Sequence, residues 1–389
     1  MDAPREAENY ISPQPVGGRS KVVFQPKGVV GVMAPWNFPV NLLFLPLSGV
    51  LAAGNRAILK PSEFTPRASE LVKKMVSEFF SDDELFVVTG DASVGADFSQ
   101  QPFDHLVFTG ATSIGKHVMA AAAKNLVPVT LELGGKSPVI LSRDIDLEKS
   151  LRRILLGKTL NAGQICIAPD YLLLPKELVE SSVGLIEKIV TEMYPTIAAN
   201  PDYTSIISDR HYARLKALID DAARNGATVK VVNPTNETLE GSREHNKIAL
   251  TIITNPSDSM EIMNDEIFGP ILPLVPYDTF DDAVSYINNR PRPLALYYFG
   301  NSKDESRKVI ENTTSGEYAS MMFFLMSCKK IYHLEGLGPQ EWVITMALMV
   351  LKSSHIKKQY IDRPPLISMD CLAYVLHLAR SLKRPLKCS

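Results

Sequence analysis

Two short stretches carry residues able to do covalent chemistry. In NAGQICIAPD, from Asn161 to Asp170, Cys166 stands among the small residues Ala162, Gly163 and Ala168, with Pro169 close behind. Such a thiol can pack as a small hydrophobe, or, as a thiolate, act as a nucleophile. Upstream, LELGGKSP sets Glu132 in an apolar run beside the Gly134-Gly135 pair. An unpaired carboxylate in apolar surroundings holds its proton more tightly than usual, which suits a general base near neutral pH. Together the two stretches supply a nucleophile and a candidate base.

The elements that must position these groups read as alternating strands and helices. A helical stretch ends at Ala53-Gly54-Asn55, AILKPSE reads as a buried strand turning at Pro61, residues 65–80 as an amphipathic helix, and LFVVTG and HLVFTG as further strands. This alternation predicts an α/β fold with a parallel, doubly wound sheet. Lys60 and Glu63 are ordinary surface residues by composition, yet at the carboxyl end of a strand an acidic side chain can hold a ribose hydroxyl. GATSIGKHV mimics a phosphate-binding P-loop, but His117 stands where Ser or Thr would ligate magnesium, which excludes an NTPase. Only Gly110 and Gly115 are present, so this is not the GxGxxG fingerprint either. In PWNFPV, Asn37 is either a turn residue or an amide donor to an oxyanion, a role worth about 3 kcal/mol. Before it, KVVFQPKGVVGVMAP reads as two β runs around Pro26-Lys27-Gly28, a hairpin or bent strand pair. Later come a strand at YLLLP, helices over 176–194 and about 208–225, strands at ATVKVV and IALTIITN, and a polar loop over 232–247.

The cysteine and glutamate stretches, with EIFGP at Glu266 to Pro270, resemble the signatures of the aldehyde dehydrogenase superfamily over about residues 20–316, and are most similar to its coniferyl aldehyde dehydrogenase branch. The resemblance implies an N-terminal segment over 1–20 and a Rossmann-like NAD-binding domain over 21–135, with an oligomerisation hairpin near 21–34. It further implies an α/β catalytic domain over 136–316, with Gly134 and Gly135 at the crossing. Cys166 would attack an aldehyde, Asn37 and the Cys166 backbone amide would hold the oxyanion, and Glu132 would activate water against the thioester. Trp36, Lys60, Glu63, Gly110, Gly115, Glu266 and Phe268 would bind the dinucleotide, Glu266 at the nicotinamide ribose and Phe268 on the nicotinamide ring. Ala111 stands where the family often has serine, so one phosphate contact is expected either to be missing or to move to Thr112 or Ser113. Glu63 favours NAD by repelling the 2′-phosphate of NADP, although some members use both. The implied substrate is a hydrophobic or aromatic aldehyde such as coniferyl aldehyde, and the implied assembly a homodimer.

With 41 basic and 43 acidic residues among 389, no basic footprint points to nucleic acid or an anionic membrane. Cys166, Cys328, Cys371 and Cys388 follow neither a disulfide nor a zinc pattern, so a reducing compartment and no metal are expected. The apolar stretches 40–54 and 342–351 are too short to span a bilayer and MDAPREAENY is no signal peptide, so a cytoplasmic protein is expected. The family carries a longer helical segment before this chain's first strand, so an internal start is expected.

From Glu317 the resemblance stops. Read one nucleotide earlier, Met322 into Phe323 gives valine, while Trp342 into Val343 and Met346 into Ala347 give glycine. Permitted codons elsewhere yield the family's closing PFGGVG motif. Residues 317–389 are therefore expected to be a frameshift product lacking the family's interface strand, with MMFFLM and WVITMALMVL as sticky surface or poorly ordered chain rather than a packed element. That loss leaves open an inactive dinucleotide-binding remnant. A plain esterase using Cys166 and Glu132 would leave Lys60, Glu63 and the 110–115 turn without a role.

Overall fold

Apolar strands alternating with helices build the first part of the chain: β1 (Val29–Met33), α1 (Asn41–Ala52), β2 (Arg56–Lys60), α2 (Pro66–Phe79), β3 (Leu85–Val87), α3 (Ala92–Ser99), β4 (His105–Gly110), α4 (Thr112–Ala123) and β5 (Val129–Leu133). The computed structural model describes residues 25–239 and 246–320. It divides between Glu132 and Leu133 into two compact units. In the first, the sheet order is β3-β2-β1-β4-β5. The pairings of β1 with β2 and β4, and of β2 with β3, are parallel. The chain thus winds outward from β1 to β3 and returns to β4 on the other side, which opens a crevice at the carboxyl ends of the central strands. Local chemistry explains the helices: Pro66 opens α2, whose Ser69, Val72 and Val76 share one buried stripe. The core gathers Val30, Val32, Leu43, Leu47, Leu59 and Val107.

The second unit contains β6 (Pro138–Leu141), α5 (Leu147–Thr159), β7 (Tyr171–Pro175), α6 (Val179–Met193), α7 (Asp209–Arg224), β8 (Thr228–Val231), β9 (Thr251–Thr254), α8 (Glu261–Asn264), β10 (Ile271–Tyr277), α9 (Phe280–Asn288), β11 (Ala295–Phe299), α10 (Lys303–Asn312) and β12 (Glu317–Ser320). Its sheet runs β12-β11-β6-β7-β10-β9-β8. β10 pairs in parallel with β7 and β9, β6 with β7 and β11, and β11 with β12, whereas the edge pair β8–β9 is antiparallel. Helix starts follow side-chain caps: Asp146 accepts from Lys149 N–H, Ser208 from His211 N–H, and Thr279 forms a capping box with Asp282.

One expectation needs correction. The run Val29–Met33 is the central strand of the first sheet, with β2 on one side and β4 on the other, so neither edge is left for a hairpin partner; the preceding run lies outside the described residues. Glu317–Ser320, where the foreign tail is expected to begin, pairs in parallel with β11 from Ala295 to Tyr298. The rest of the expected frameshifted tail lies outside the described residues. The change of sheet between β5 and β6 spans Gly134 and Gly135, while the division into units falls just before them. No helix among the described residues is long and apolar enough to cross a membrane, and no group of metal-ligating side chains occurs among them.

Candidate active site

In the first unit the sequence-selected residues gather along the carboxyl edge of the parallel sheet. Trp36 and Asn37 are half-buried in the loop that leaves β1. Lys60, the last residue of β2, is 3% exposed; its Nζ donates to Pro61 O at 3.0 Å and lies 3.9 Å from Glu63 Oε2. Burial lowers the Lys60 pKa against the pull of Glu63 and Asp91. Glu63 itself is exposed. β4 ends at Gly110, and α4 begins after Ala111 without any side-chain cap, so its first amides point outward as an anion seat. Gly115 closes that first turn by donating to Ala111 O at 2.9 Å. Thr109, 9% exposed beside this turn, has an Oγ1 without a hydrogen-bond partner. An unsatisfied hydroxyl, an uncapped helix and a buried lysine beside a carboxylate are the groups a dinucleotide would engage. Glu132 is half-buried on β5, and burial raises its carboxyl above the ordinary range, the direction expected of a glutamate in an apolar strand.

Cys166 lies in the second unit. The chain reaches it through Asn161, Ala162 and Gly163, at φ +50°, +52° and +72°. Ile165 O accepts from Ala168 N–H at 2.9 Å, which places Cys166 at the head of a tight turn, half-buried and as a thiol rather than a disulfide. This turn is anchored on several sides. Gln164, 2% exposed, donates to Asn161 O and Ser205 O, both at 3.0 Å, and accepts from Ile207 N–H at 3.0 Å. Tyr297 donates to Ile167 O at 2.7 Å. Asp170, just before β7, accepts from Lys136 Nζ and from Ile267 N–H, the latter at 2.9 Å.

Glu266 and Phe268 occupy the turn between α8 and β10. The Glu266 carboxylate lies on the backbone of Gly134 and accepts from Gly135 N–H, while its Oε1 is enclosed with no hydrogen-bond partner. Burial, aided by Asp170 and opposed by the Gly135 N–H, Lys136 and Arg214, pushes its pKa up to about 7. Phe268 has φ +49°, a conformation uncommon for an aromatic residue. Beneath lies Lys158 on α5, 1% exposed, its pKa lowered by burial to about 8 with Asp170 and Glu266 opposing. The second unit thus brings the Cys166 turn against the Glu266 turn. Trp36, Asn37, Lys60, Glu63, Gly110, Gly115 and Glu132 belong to the first unit. Lys136, Lys158, Gln164, Asp170 and Arg214 escaped the sequence reading; the first four are polar residues in apolar or glycine-rich runs, the one signal that could have marked them, whereas Arg214 lies in a charged amphipathic helix and carries no such signal.

Comparison with known proteins identifies the family of the chain. The model of the aldehyde dehydrogenase family matches residues 2–320, which reaches past both ends of the 20–316 stretch read from the sequence. The chain belongs to the aldehyde dehydrogenase family, and its fold is that family's α/β fold. It is 57% identical over 300 residues to a probable coniferyl aldehyde dehydrogenase of Caulobacter vibrioides, covering 77% of this chain and 62% of that one. It is 54% identical to a coniferyl aldehyde dehydrogenase of a Pseudomonas species, with the same two coverages. The chain therefore spans about 62% of the length of these curated relatives. Among solved structures, substrate-bound AldH of Staphylococcus aureus superposes with a TM-score of 0.77 at 30% identity, over 96% of this chain and 82% of that one. Betaine aldehyde dehydrogenase of the same organism, in complex with NAD+, gives 0.75 at 29% identity, over 82% and 63%.

Proposed function

We propose that this protein oxidises an aldehyde to the carboxylic acid with NAD, through an acyl group carried on Cys166. The observation that carries the reading is the Cys166 turn, held by Gln164, Tyr297 and Asp170 and packed against the Glu266 turn. The Cys166 thiolate adds to the aldehyde carbon, and the oxygen takes up the negative charge of a thiohemiacetal. Asn37 and the Cys166 backbone amide donate to that oxygen, a contribution of about 3 kcal/mol per donor. When bound, NAD supplies the hydride acceptor that turns the thiohemiacetal into a thioester. Glu132, its carboxyl raised by burial, takes a proton from water, which attacks the thioester and releases the acid and the thiol.

Lys60 and Glu63 would hold the adenosine ribose, the α4 amides with Gly110 and Gly115 the pyrophosphate, and Glu266 with Phe268 the nicotinamide end; Trp36 belongs to the same set. Glu63 supports NAD over NADP, because its carboxylate would repel a 2′-phosphate. The likeness to two coniferyl aldehyde dehydrogenases supports an aromatic or hydrophobic aldehyde. We place the dinucleotide domain over 21–135, the catalytic domain over 136–316, and the activity in the cytoplasm, in a homodimer.

The test is NADH formation by the purified chain with coniferyl aldehyde and NAD, in wild type and Cys166→Ala. Turnover lost in Cys166→Ala with NADH binding retained supports the reading. Binding without turnover in wild type favours the dinucleotide-binding remnant, and cofactor-independent ester hydrolysis without aldehyde oxidation favours the esterase.

A further inference from the structure

A buried ion pair that the chemistry above leaves without a task joins the two turns of the second unit. Lys136 and Asp170 have side chains only 12% and 4% exposed. An ammonium has three N–H groups, and those of Lys136 have three different acceptors: Asp170 Oδ1, Ile262 O at 2.7 Å and Asp265 O at 3.0 Å. Asp170 is equally committed, since its Oδ2 accepts from Ile267 N–H at 2.9 Å and its own N–H donates to Ser137 O at 2.8 Å. Arg214 adds bonds to Glu266 O and Ile267 O from α7.

What these bonds hold is strained. Asn161 and Ala162 before the Cys166 turn, and Phe268 after Glu266, all have φ near +50°, and non-glycine residues keep such values where their surroundings over-determine them. The two strained turns also touch. A Cβ on Gly163 would lie 2.5 Å from Gly269 O, so the backbones meet with no room for a side chain. A shift of either turn must move the other.

We propose that the Lys136–Asp170 pair is a positioning device that locks the Cys166 turn to the Glu266–Phe268 turn, setting the geometry of the nucleophile and of the cofactor's nicotinamide seat together. The proposal rests on the reading of Cys166 as nucleophile and Glu266 with Phe268 as cofactor residues. Neither member of the pair touches the reacting atoms. The guanidinium of arginine is larger and holds all its donors in one plane, whereas the compact ammonium directs three donors as a tripod, so Lys136→Arg does not replace the lysine.

The test uses the full chain in four variants: Lys136→Met, Asp170→Asn, the double variant, and Ile252→Ala, a fully buried β9 residue that controls for lost stability. Three readouts are taken: melting temperature, iodoacetamide alkylation at the Cys166 peptide by mass spectrometry, and NADH affinity by fluorescence titration. The control is expected to lower the melting temperature while alkylation and NADH affinity stay within about twofold of wild type. Each pair variant is expected to change both by about tenfold or more, as misplacement of a reacting group does. The double variant is expected to do no more than either single, because the two residues act as one unit. Pair variants that move only the melting temperature, or whose effects multiply in the double, overturn the proposal. A wild-type chain that binds no NADH refutes the cofactor reading instead, and the alkylation readout still decides whether the pair positions Cys166.

Discussion

Glycine at position 134 leaves the space in which the Glu266 carboxylate rests, and filling that space is expected to uncouple the carboxylate from its seat. A Cβ on Gly134 would lie 2.2 Å from Glu266 Oε1, 2.4 Å from Oε2 and 2.6 Å from the carboxyl carbon. The backbone there lies outside the left-handed region, so Gly134→Ala introduces a collision without backbone strain. The neighbouring glycine is a control: a Cβ on Gly135 would meet Pro293 Cα at 3.4 Å and Leu294 N at 3.5 Å, which is ordinary contact, and alanine keeps the N–H that Glu266 accepts. A hydrogen bond to an ionised carboxylate contributes about 1.5–3 kcal/mol. At about 1.4 kcal/mol per decade this is one to two decades in a dissociation constant. Fluorescence titration with NADH should therefore show Gly134→Ala weakened about 10- to 100-fold and Gly135→Ala within about threefold of wild type. Equal affinities in the two variants would refute the seating of Glu266 on Gly134.

Three further outcomes are expected. Since the Glu266 pKa is raised from 4.5 to about 7, its contribution to stability is full below pH 4.5 and is lost as pH rises through 7. Glu266→Gln should then be more stable than wild type at pH 8, by on the order of 3 kcal/mol, with no gain at pH 4; denaturant melts showing no gain at pH 8 would count against the buried carboxylate. Glu132, raised by burial, should give thioester hydrolysis an acidic limb above the ordinary carboxylate value of about 4.3, and Glu132→Gln should abolish that limb along with steady-state turnover. A limb that survives in Glu132→Gln assigns the base to another group. Sequencing the gene across the codons for Thr314–Ser320 is expected to reveal one base gained or lost, and an unaltered reading frame contradicts the frameshift.

How much of this was legible depends on the range of the interaction that decides each feature. β4 is HLVFTG from end to end, and α2 and α7 fall within the amphipathic stretches, because burial stripes and terminal residues such as Pro66 and Ser208 are local. Pairing is not local. The run Val29–Met33 has the same composition in a hairpin as in a central strand, and only the return of the chain through α1 and α3 decides that β2 and β4 flank it. Cys166 and Glu132 stood out because their types are unusual in their stretches, and Glu266, next to Asp265 in an acidic turn, only through the resemblance of EIFGP to the family. The residues that hold their turns did not, since Lys136 meets Asp170 34 positions away, and Ile262 O 126 positions away. No spacing rule connects such distant partners. The strand Glu317–Ser320 was read as foreign, yet four residues suffice to extend β11 because strand pairing uses backbone groups that every frame supplies.

The central claim is that Cys166 carries the acyl group, and the most direct measurement is the intact mass of Glu132→Gln after mixing with NAD and coniferyl aldehyde, followed by peptide mapping. With the base removed, the thioester should persist, giving one acyl adduct per chain, mapped to the Cys166 peptide and absent when NAD is omitted. A chain that stays unmodified, or an adduct on any other residue, would contradict the account.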